Sequence, residues 1–568
     1  GTSLKYYIEQ GGQYWDITPI RVTTAAGDVT FAAVNGSAVL TVTDTAHGAV
    51  TNDFVTFSGA VSLGGLITAG VLNQEYQITA LVDLNSYTIS ARTAGTTIQN
   101  LTVDGEIVDT PVTANSSDTG NGGGSIVGAY QVNTGLTVAV AGTGWGSSTW
   151  GRDTWGSAAT STTATELRIW THDNFGEDLL FNVRNGNIFY WDTSTDTLGT
   201  NRGTPLTLVS GADAATPTVA TQVMVSDRDR HVIVFGCDSE TAIGTQDPLL
   251  IRFSNQESIT EWAAEATNTA GDLRVGSGSE IVCAAETRQQ ILVWTDVSLH
   301  AMQYLGPPFT FGIEQLSENT TIAGPLAVKA VDDTVFWMGV EEFYIYTGQV
   351  QKLPCSVRSY VFNDFNVGQR SQVAAGLNSS FSEIWWFYPS SSSTVLDRYV
   401  VFNYQEKVWY YGTMTRTFWL DRGVNDYPVA ANNDGYLYNH EVGLNDGTTT
   451  PASAISSYIQ SSQLSIGEGE EFVFLNRLIP DLTFDASTDA AASVNMTLET
   501  RNYPGGPYLQ SNASAVTQTA TTPVEQFTTE AYIRLRGRSF ALKVDSSTTD
   551  IQWRLGSPRV EVRPDGRQ

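Results

Sequence analysis

The stretch Val335-Phe336-Trp337-Met338-Gly339-Val340-Glu341-Glu342-Phe343-Tyr344-Ile345-Tyr346 decides the fold class. Two short runs of aromatic and β-branched residues flank a polar break near Glu341-Glu342, which is the pattern of two strands joined by a tight turn. Such side chains lose rotamer freedom in a helix and pack well on a pleated surface. The same unit recurs outward along the chain. Lys5 to Thr18 turns at Gly11-Gly12, and Leu179 to Asp192 turns at Asn185-Gly186-Asn187. Glu383 to Phe387 and Tyr399 to Tyr411 follow, and then Asn433-Asp434-Gly435 opens onto Tyr436-Leu437-Tyr438.

Three of these hairpins share a phrase: Asn187-Ile188-Phe189-Tyr190-Trp191, Glu342-Phe343-Tyr344-Ile345-Tyr346 and Gly435-Tyr436-Leu437-Tyr438. Loose repetition of an aromatic hairpin predicts the degenerate blades of a β-propeller, with stacked sandwiches as the alternative. Composition agrees with an all-β chain. Charged residues make up 16% of the 568 residues, well below the usual roughly 25%, while turn-forming residues abound. The length is enough for several cores.

Two flanks differ from the aromatic centre. Residues 1–21 begin the central β-domain. From Val22 to Val112 the chain is rich in Thr, Val and Ala and carries Arg92 as its one basic side chain against eight acids; its alternation predicts an inserted acidic β-sandwich. The loop from Asn115 to Ser125 then leads back to a propeller-like domain over residues 113–450. A C-terminal β-rich domain is expected over 451–568, with its cations gathered in the last strands, Arg534, Arg536 and Arg538 among them. Gly1 in place of Met predicts a preceding N-terminal piece, and no stretch is long and apolar enough to span a membrane.

No catalytic, metal or cofactor site is readable, and the chain is expected not to be an enzyme. The formal charge of −29 argues against a protein that grips nucleic acid, which needs Lys and Arg to displace phosphate counterions. Cys237, Cys283 and Cys355 lie far apart, and the five histidines show no metal-ligand spacing. Asn432, Asp434, Gly435 and Glu441 fall at calcium-loop offsets, but Ala430 stands where the first carboxylate belongs, so a hairpin turn is expected. Asp192 to Gly199 matches a sialidase Asp-box loosely. Glu341-Glu342 and Glu470-Glu471 are paired acids, yet neighbouring strand residues point to opposite faces. The most unusual local signal is a Trp-Gly dipeptide repeated every five residues at Trp145, Trp150 and Trp155. Three indoles freed by glycine suit packing on the chain's own domain, a subunit contact, or glycan stacking.

With these residues in view, the chain resembles the nozzle (tail tubular protein B-like) proteins of short-tailed bacteriophages, the podoviruses, and especially those of marine and cyanobacterial phages. The resemblance spans most of the chain. It rests on Tyr6-Tyr7-Ile8-Glu9, Tyr14-Trp15-Asp16-Ile17-Thr18-Pro19-Ile20-Arg21, the triple Trp-Gly segment, Leu353-Pro354-Cys355-Ser356-Val357-Arg358, Glu383-Ile384-Trp385-Trp386-Phe387-Tyr388-Pro389 and Asp397-Arg398-Tyr399-Val400-Val401. It implies a virion structural protein of the phage tail. Such subunits form a homohexameric ring below the adaptor and portal, meet tail fibre or needle and spike proteins, and let genomic DNA pass without specific binding. It assigns no site residue, and it leaves residues 22–112 as an insertion. The competing expectations are a receptor-binding tail fibre or adhesin and a propeller-fold glycan depolymerase. Arg534, Arg536 and Arg538 are expected to face an acidic partner.

Overall fold

The computed structural model describes residues 1–93, 102–103, 106–107, 110–133, 138–139, 167–466, 469–508 and 517–566. The chain is nearly all β and divides into two compact units, Gly1–His440 and Glu441–Gln568. Trp145, Trp150 and Trp155 lie outside the described residues.

In the first unit, residues from Trp170 onward form successive antiparallel meanders. Five are four-stranded among the described residues, and a sixth has three strands. The first sheet runs Trp170–Phe175, Asp178–Val183, Ile188–Trp191 and Thr204–Pro205. The fourth runs Val328–Val331, Thr334–Met338, Phe343–Tyr346 and Val350–Leu353, and the fifth Ala374–Asn378, Glu383–Tyr388, Arg398–Asn403 and Val408–Thr413. The sixth is Phe418–Leu420, Val429–Ala431 and Leu437–Asn439. First strands of neighbouring sheets lie against each other at four of the five junctions, and at the other the strand Val232–Phe235 of the second sheet meets the first strand of the third. Each inner sheet therefore packs between two neighbours, which is the propeller arrangement. Strands such as Glu383–Tyr388 and Ile291–Thr295 are accordingly buried along their whole length, with no polar face.

Large aromatics fill the spaces between sheets. Trp294 and Trp337 meet edge to face at 5.4 Å, and Trp385 stacks on Trp419 at 5.1 Å. The other face of the first sheet is covered by the N-terminal hairpin, Tyr7–Gln10 with Gln13–Asp16. Tyr6 stacks on Phe181 at 4.7 Å, and Ile17 completes that cluster.

The inserted sandwich is larger than the sequence suggests. Its two sheets include Asp118–Asn121 and Val127–Gln131, beyond the 22–112 limits, and Ile20–Thr23, which straddles the first of them. Gln131 pairs with Ile20, and the Val132 amide donates to the Pro19 carbonyl at 3.0 Å. The insertion thus leaves and re-enters the propeller at one point. The change of composition at 112 marks the end of one turn-rich stretch, whereas hydrogen bonding sets the boundary at 131.

An expected outcome follows for deletion. Joining Pro19 directly to Val132 should leave the propeller folded, because that junction already spans one hydrogen bond. Removing only 22–112 should yield insoluble protein, since it strips Val127–Gln131 of its partner Phe54–Ser58 and bares an edge strand. Soluble yield and thermal unfolding of the two variants check this.

The second unit starts at Glu441, ten residues before the expected limit of 451. Asn445–Asp446 pairs with Ser453–Ala454, and the Asn445 amide and Asp550 exchange two hydrogen bonds of 2.7 Å. These bonds tie 441–450 to the C-terminal unit. One sheet is built from Ser457–Gln460, Ser493–Arg501, Thr519–Glu525 and Ser539–Ser546, and another from Val473–Ile479, Ala531–Gly537 and Arg559–Pro564. Alternate residues Val494, Met496 and Leu498 point into a core shared with Val473, Leu475 and Ile533.

Candidate interaction surfaces

The histidines and acids singled out in the sequence make the following local contacts. His300 Nε2 lies 2.9 Å from Ser298 Oγ and 3.1 Å from Ser277 Oγ, and His231 Nε2 lies 3.1 Å from Thr269 Oγ1. Arg416 donates to His440 Nε2 at 2.9 Å. Among the described residues, no three His, Cys, Asp or Glu side chains lie close enough to hold a metal ion. Glu342 pairs with Arg358 at 3.0 Å and Lys352 at 3.3 Å, whereas Glu341 is exposed. Asn432 to Gly435 form the turn between two strands of the sixth sheet, with Gly435 at φ 83°. Asp192 accepts from the Ser194 hydroxyl and amide, and these bonds hold its carboxyl below the usual range.

Arg534, Arg536 and Arg538 do fall together, on and just beyond the strand Ala531–Gly537. That strand is an edge of its sheet. Arg534 is exposed. Arg536 pairs with Asp565 at 2.5 Å, and Arg536 and Arg538 stand over the Phe472 ring at 4.1 and 4.7 Å. On the same sheet Arg477 meets Glu530 and Glu561 at 3.0 and 3.2 Å, and Arg563 meets Glu561 at 2.7 Å. Much of the cationic charge is answered within the sheet. Exposed pairs of this kind contribute little each, about 0–1 kcal/mol, but charged residues on an edge discourage strand addition.

The structure also gathers three carboxylates that sequence reading missed. Asp173 lies on the first strand of the first sheet, Asp227 follows the strand Gln222–Val225, and Glu286 ends the strand Ile281–Glu286. Burial raises the carboxyl of Glu286 to about 7, with Asp227 and Asp173 adding repulsion. Asp173 is raised as well, chiefly by burial. Because the folded value of Glu286 lies above its ordinary 4.5, the folded state binds the extra proton, and stability falls as pH rises from about 4.5 towards 7. Glu286→Gln should therefore raise the melting temperature of the propeller at pH 8 and change it little at pH 5. Equal effects at both values would contradict the assignment. The acids are far apart in sequence and meet because consecutive sheets pack against each other.

The sixth sheet has two unlike faces. Trp419 and Ala430 are buried against the fifth sheet. Phe418 and Leu437 share the opposite face with Leu420, and they are 48%, 54% and 51% exposed. No helix among the described residues is long and apolar enough to cross a membrane.

No protein-family model matches this chain, and no curated protein matches it. Among solved structures it is similar to Hsv2 of Kluyvelomyces marxianus, with 8% identity over 56% of this chain and 92% of that one at a TM-score of 0.29. A putative 6-phosphogluconolactonase from Bacteroides fragilis shows 10% identity over 48% and 82% at 0.29. PorZ, a surface component of the type-IX secretion system of Porphyromonas gingivalis, shows 8% over 54% and 43% at 0.23. Likeness this remote has no bearing on what the chain does.

Proposed function

We propose that this chain is a structural subunit of a multi-copy assembly, namely the nozzle of a short phage tail. In this reading a ring of six copies sits below the adaptor and portal, retains packaged DNA, and conducts it outward without covalent chemistry. The observation that carries the reading is the open face of the sixth sheet. Phe418, Leu420 and Leu437 form an apolar surface that a single copy leaves in water, and such patches mark contacts. Copies that each carry a charge of −29 repel, so an uncharged face is where they can meet. The number six and the place in the tail come from the sequence resemblance.

Averaged electron micrographs of the purified assembly are the test. Sixfold rings are expected, and Phe418→Asp with Leu437→Asp should release single copies. Threefold averages, or sixfold rings in the double variant, would overturn the reading. The acidic balance further implies a conduit that does not hold DNA. Purified rings should bind duplex DNA weakly, without the roughly 10³–10⁵-fold loss between 50 and 200 mM salt that six to ten phosphate contacts produce.

The second reading, a receptor-binding fibre or adhesin, is favoured by one observation, a small cavity beside the second sheet that is lined by charged and apolar side chains.

A further inference from the structure

The cavity lies along the strands Leu250–Phe253 and Gly271–Arg274 and holds about 190 Å³. Its wall includes Arg252, which is 2% exposed, and Trp262, which is 1% exposed. Arg252 Nη2 donates to the carbonyls of Ala215 at 2.6 Å and Trp262 at 3.3 Å, and Nη1 donates to that of Asp238 at 3.3 Å. A guanidinium has five N–H groups, and these three bonds to main-chain carbonyls fix its plane in the cavity wall. Asp272 stands directly opposite Arg252 in the ladder, on the same face of the sheet. Glu240, Ser239 and Thr241 add oxygens at the mouth.

Charge selects the occupant. An anion suited to Arg252 meets Asp272 and Glu240 beside it, on a chain of net charge −29. A cation suited to those carboxylates meets Arg252. A hydroxyl accepts from a guanidinium and donates to a carboxylate at once, so a neutral polyol satisfies both signs. At this volume the site is below the roughly 300–1,000 Å³ of pockets for drug-sized ligands, which limits it to one small ring. Leu250 and the Trp262 wall supply the apolar surface for ring carbons.

We propose that this cavity binds a single neutral pyranose unit, the end of a glycan, with Arg252 as donor and Asp272 and Glu240 as acceptors. The site belongs to neither the sandwich nor the Trp-Gly segment. It is independent of the nozzle assignment, because ring symmetry and sugar binding are measured separately and either can fail alone.

Saturation-transfer NMR on the whole chain tests it, with glucose, galactose, mannose and N-acetylglucosamine as probes and N-acetylneuraminate as the anionic comparison. At least one neutral sugar is expected to bind with a Kd of about 1–10 mM, the weak range for one small ring. The exposed pair Glu240→Gln and Asp272→Asn should weaken it tenfold or more, and Ala264→Trp at the mouth should abolish it. The three positions lie on the surface, so unchanged melting curves will show that the fold is kept. No transfer to any neutral sugar overturns the proposal. So does binding that persists in the Ala264→Trp protein, or tighter binding of the anionic sugar.

Discussion

Replacing Trp386 with Ala is expected to destabilise the propeller by about 3–5 kcal/mol, the range for removing a fully buried large aromatic. Trp386 is wholly buried in the cluster shared by the third, fourth and fifth sheets. Its ring centroid lies 5.0 Å from that of Phe343 on the fourth sheet and 6.0 Å from that of Trp409 on its own. Its indole N–H donates to the Ala327 carbonyl at 3.0 Å. Truncation would remove the ring contacts, leave a cavity that the rigid strands cannot close, and take away one of the two hydrogen bonds that the Ala327 carbonyl accepts, the Met338 amide keeping the other. Trp386→Phe keeps most of the volume and loses the hydrogen bond, so it should cost about 1–2 kcal/mol. Hydrogen exchange resolved by peptide is the measurement. Protection should fall across Val328–Leu353 and Ala374–Thr413 while the strands Val473–Ile479 and Ser493–Arg501 of the second unit keep theirs. An Ala variant as protected as the wild type would refute the role of this ring.

Much of the architecture was legible because the side chains that face neighbouring sheets are also those with strong strand preference. The three similar aromatic phrases occupy one equivalent place. Ile188–Trp191, Phe343–Tyr346 and Leu437–Asn439 are each the third strand of a sheet. The hairpin turns at Gly11-Gly12 and Asn185-Gly186 also fall where the sequence puts them, since Gly11, Gly12 and Asn185 adopt positive φ. What composition could not convey was pairing. Val127–Gln131 follows the loop that reads as the domain edge, yet it closes the sandwich because Ile20–Thr23 and Phe54–Ser58 flank it in the ladder.

The surfaces were less legible, for a related reason. Phe418, Leu420 and Leu437 look in sequence like any other strand residues, and only their place on the face of the sixth sheet turned from the fifth distinguishes them. Arg252 and Asp272 are twenty residues apart and meet through register. The grouped arginines were visible in sequence, whereas Asp565 and the Phe472 ring beneath them were not.

The last expected result concerns the joint between sandwich, N-terminal hairpin and propeller. Lys5 Nζ sits 2.7 Å from both Asp16 of the hairpin and Glu75 of the sandwich, with its side chain 7% exposed. Arg202, in the loop before the fourth strand of the first sheet, reaches Asp16 at 2.5 Å. Lys5→Met would leave two part-buried carboxylates with Arg202 beside them and neutral donors from Thr18 and Gln131. Breaking a buried pair costs about 3–5 kcal/mol, and the low end applies here because Arg202 remains and the carboxylates keep some water. A loss of about 3 kcal/mol is roughly a hundredfold increase in local opening. It should appear as faster exchange of the Tyr7–Gln10 and Gln13–Asp16 amides, while Val39–Thr43 inside the sandwich is unchanged. Burial alone would raise the carboxyl of Asp16, but Lys5 and Arg202 overcome it and hold the group below its ordinary value. The stabilisation is therefore present above about pH 4 and lost as pH falls through the folded value. Acid should open the hairpin of the wild type, and it should have little further effect when Lys5→Met is combined with Asp16→Asn and Glu75→Gln. If the single variant exchanges no faster than the wild type at pH 7, the ion cluster is not what fastens the hairpin.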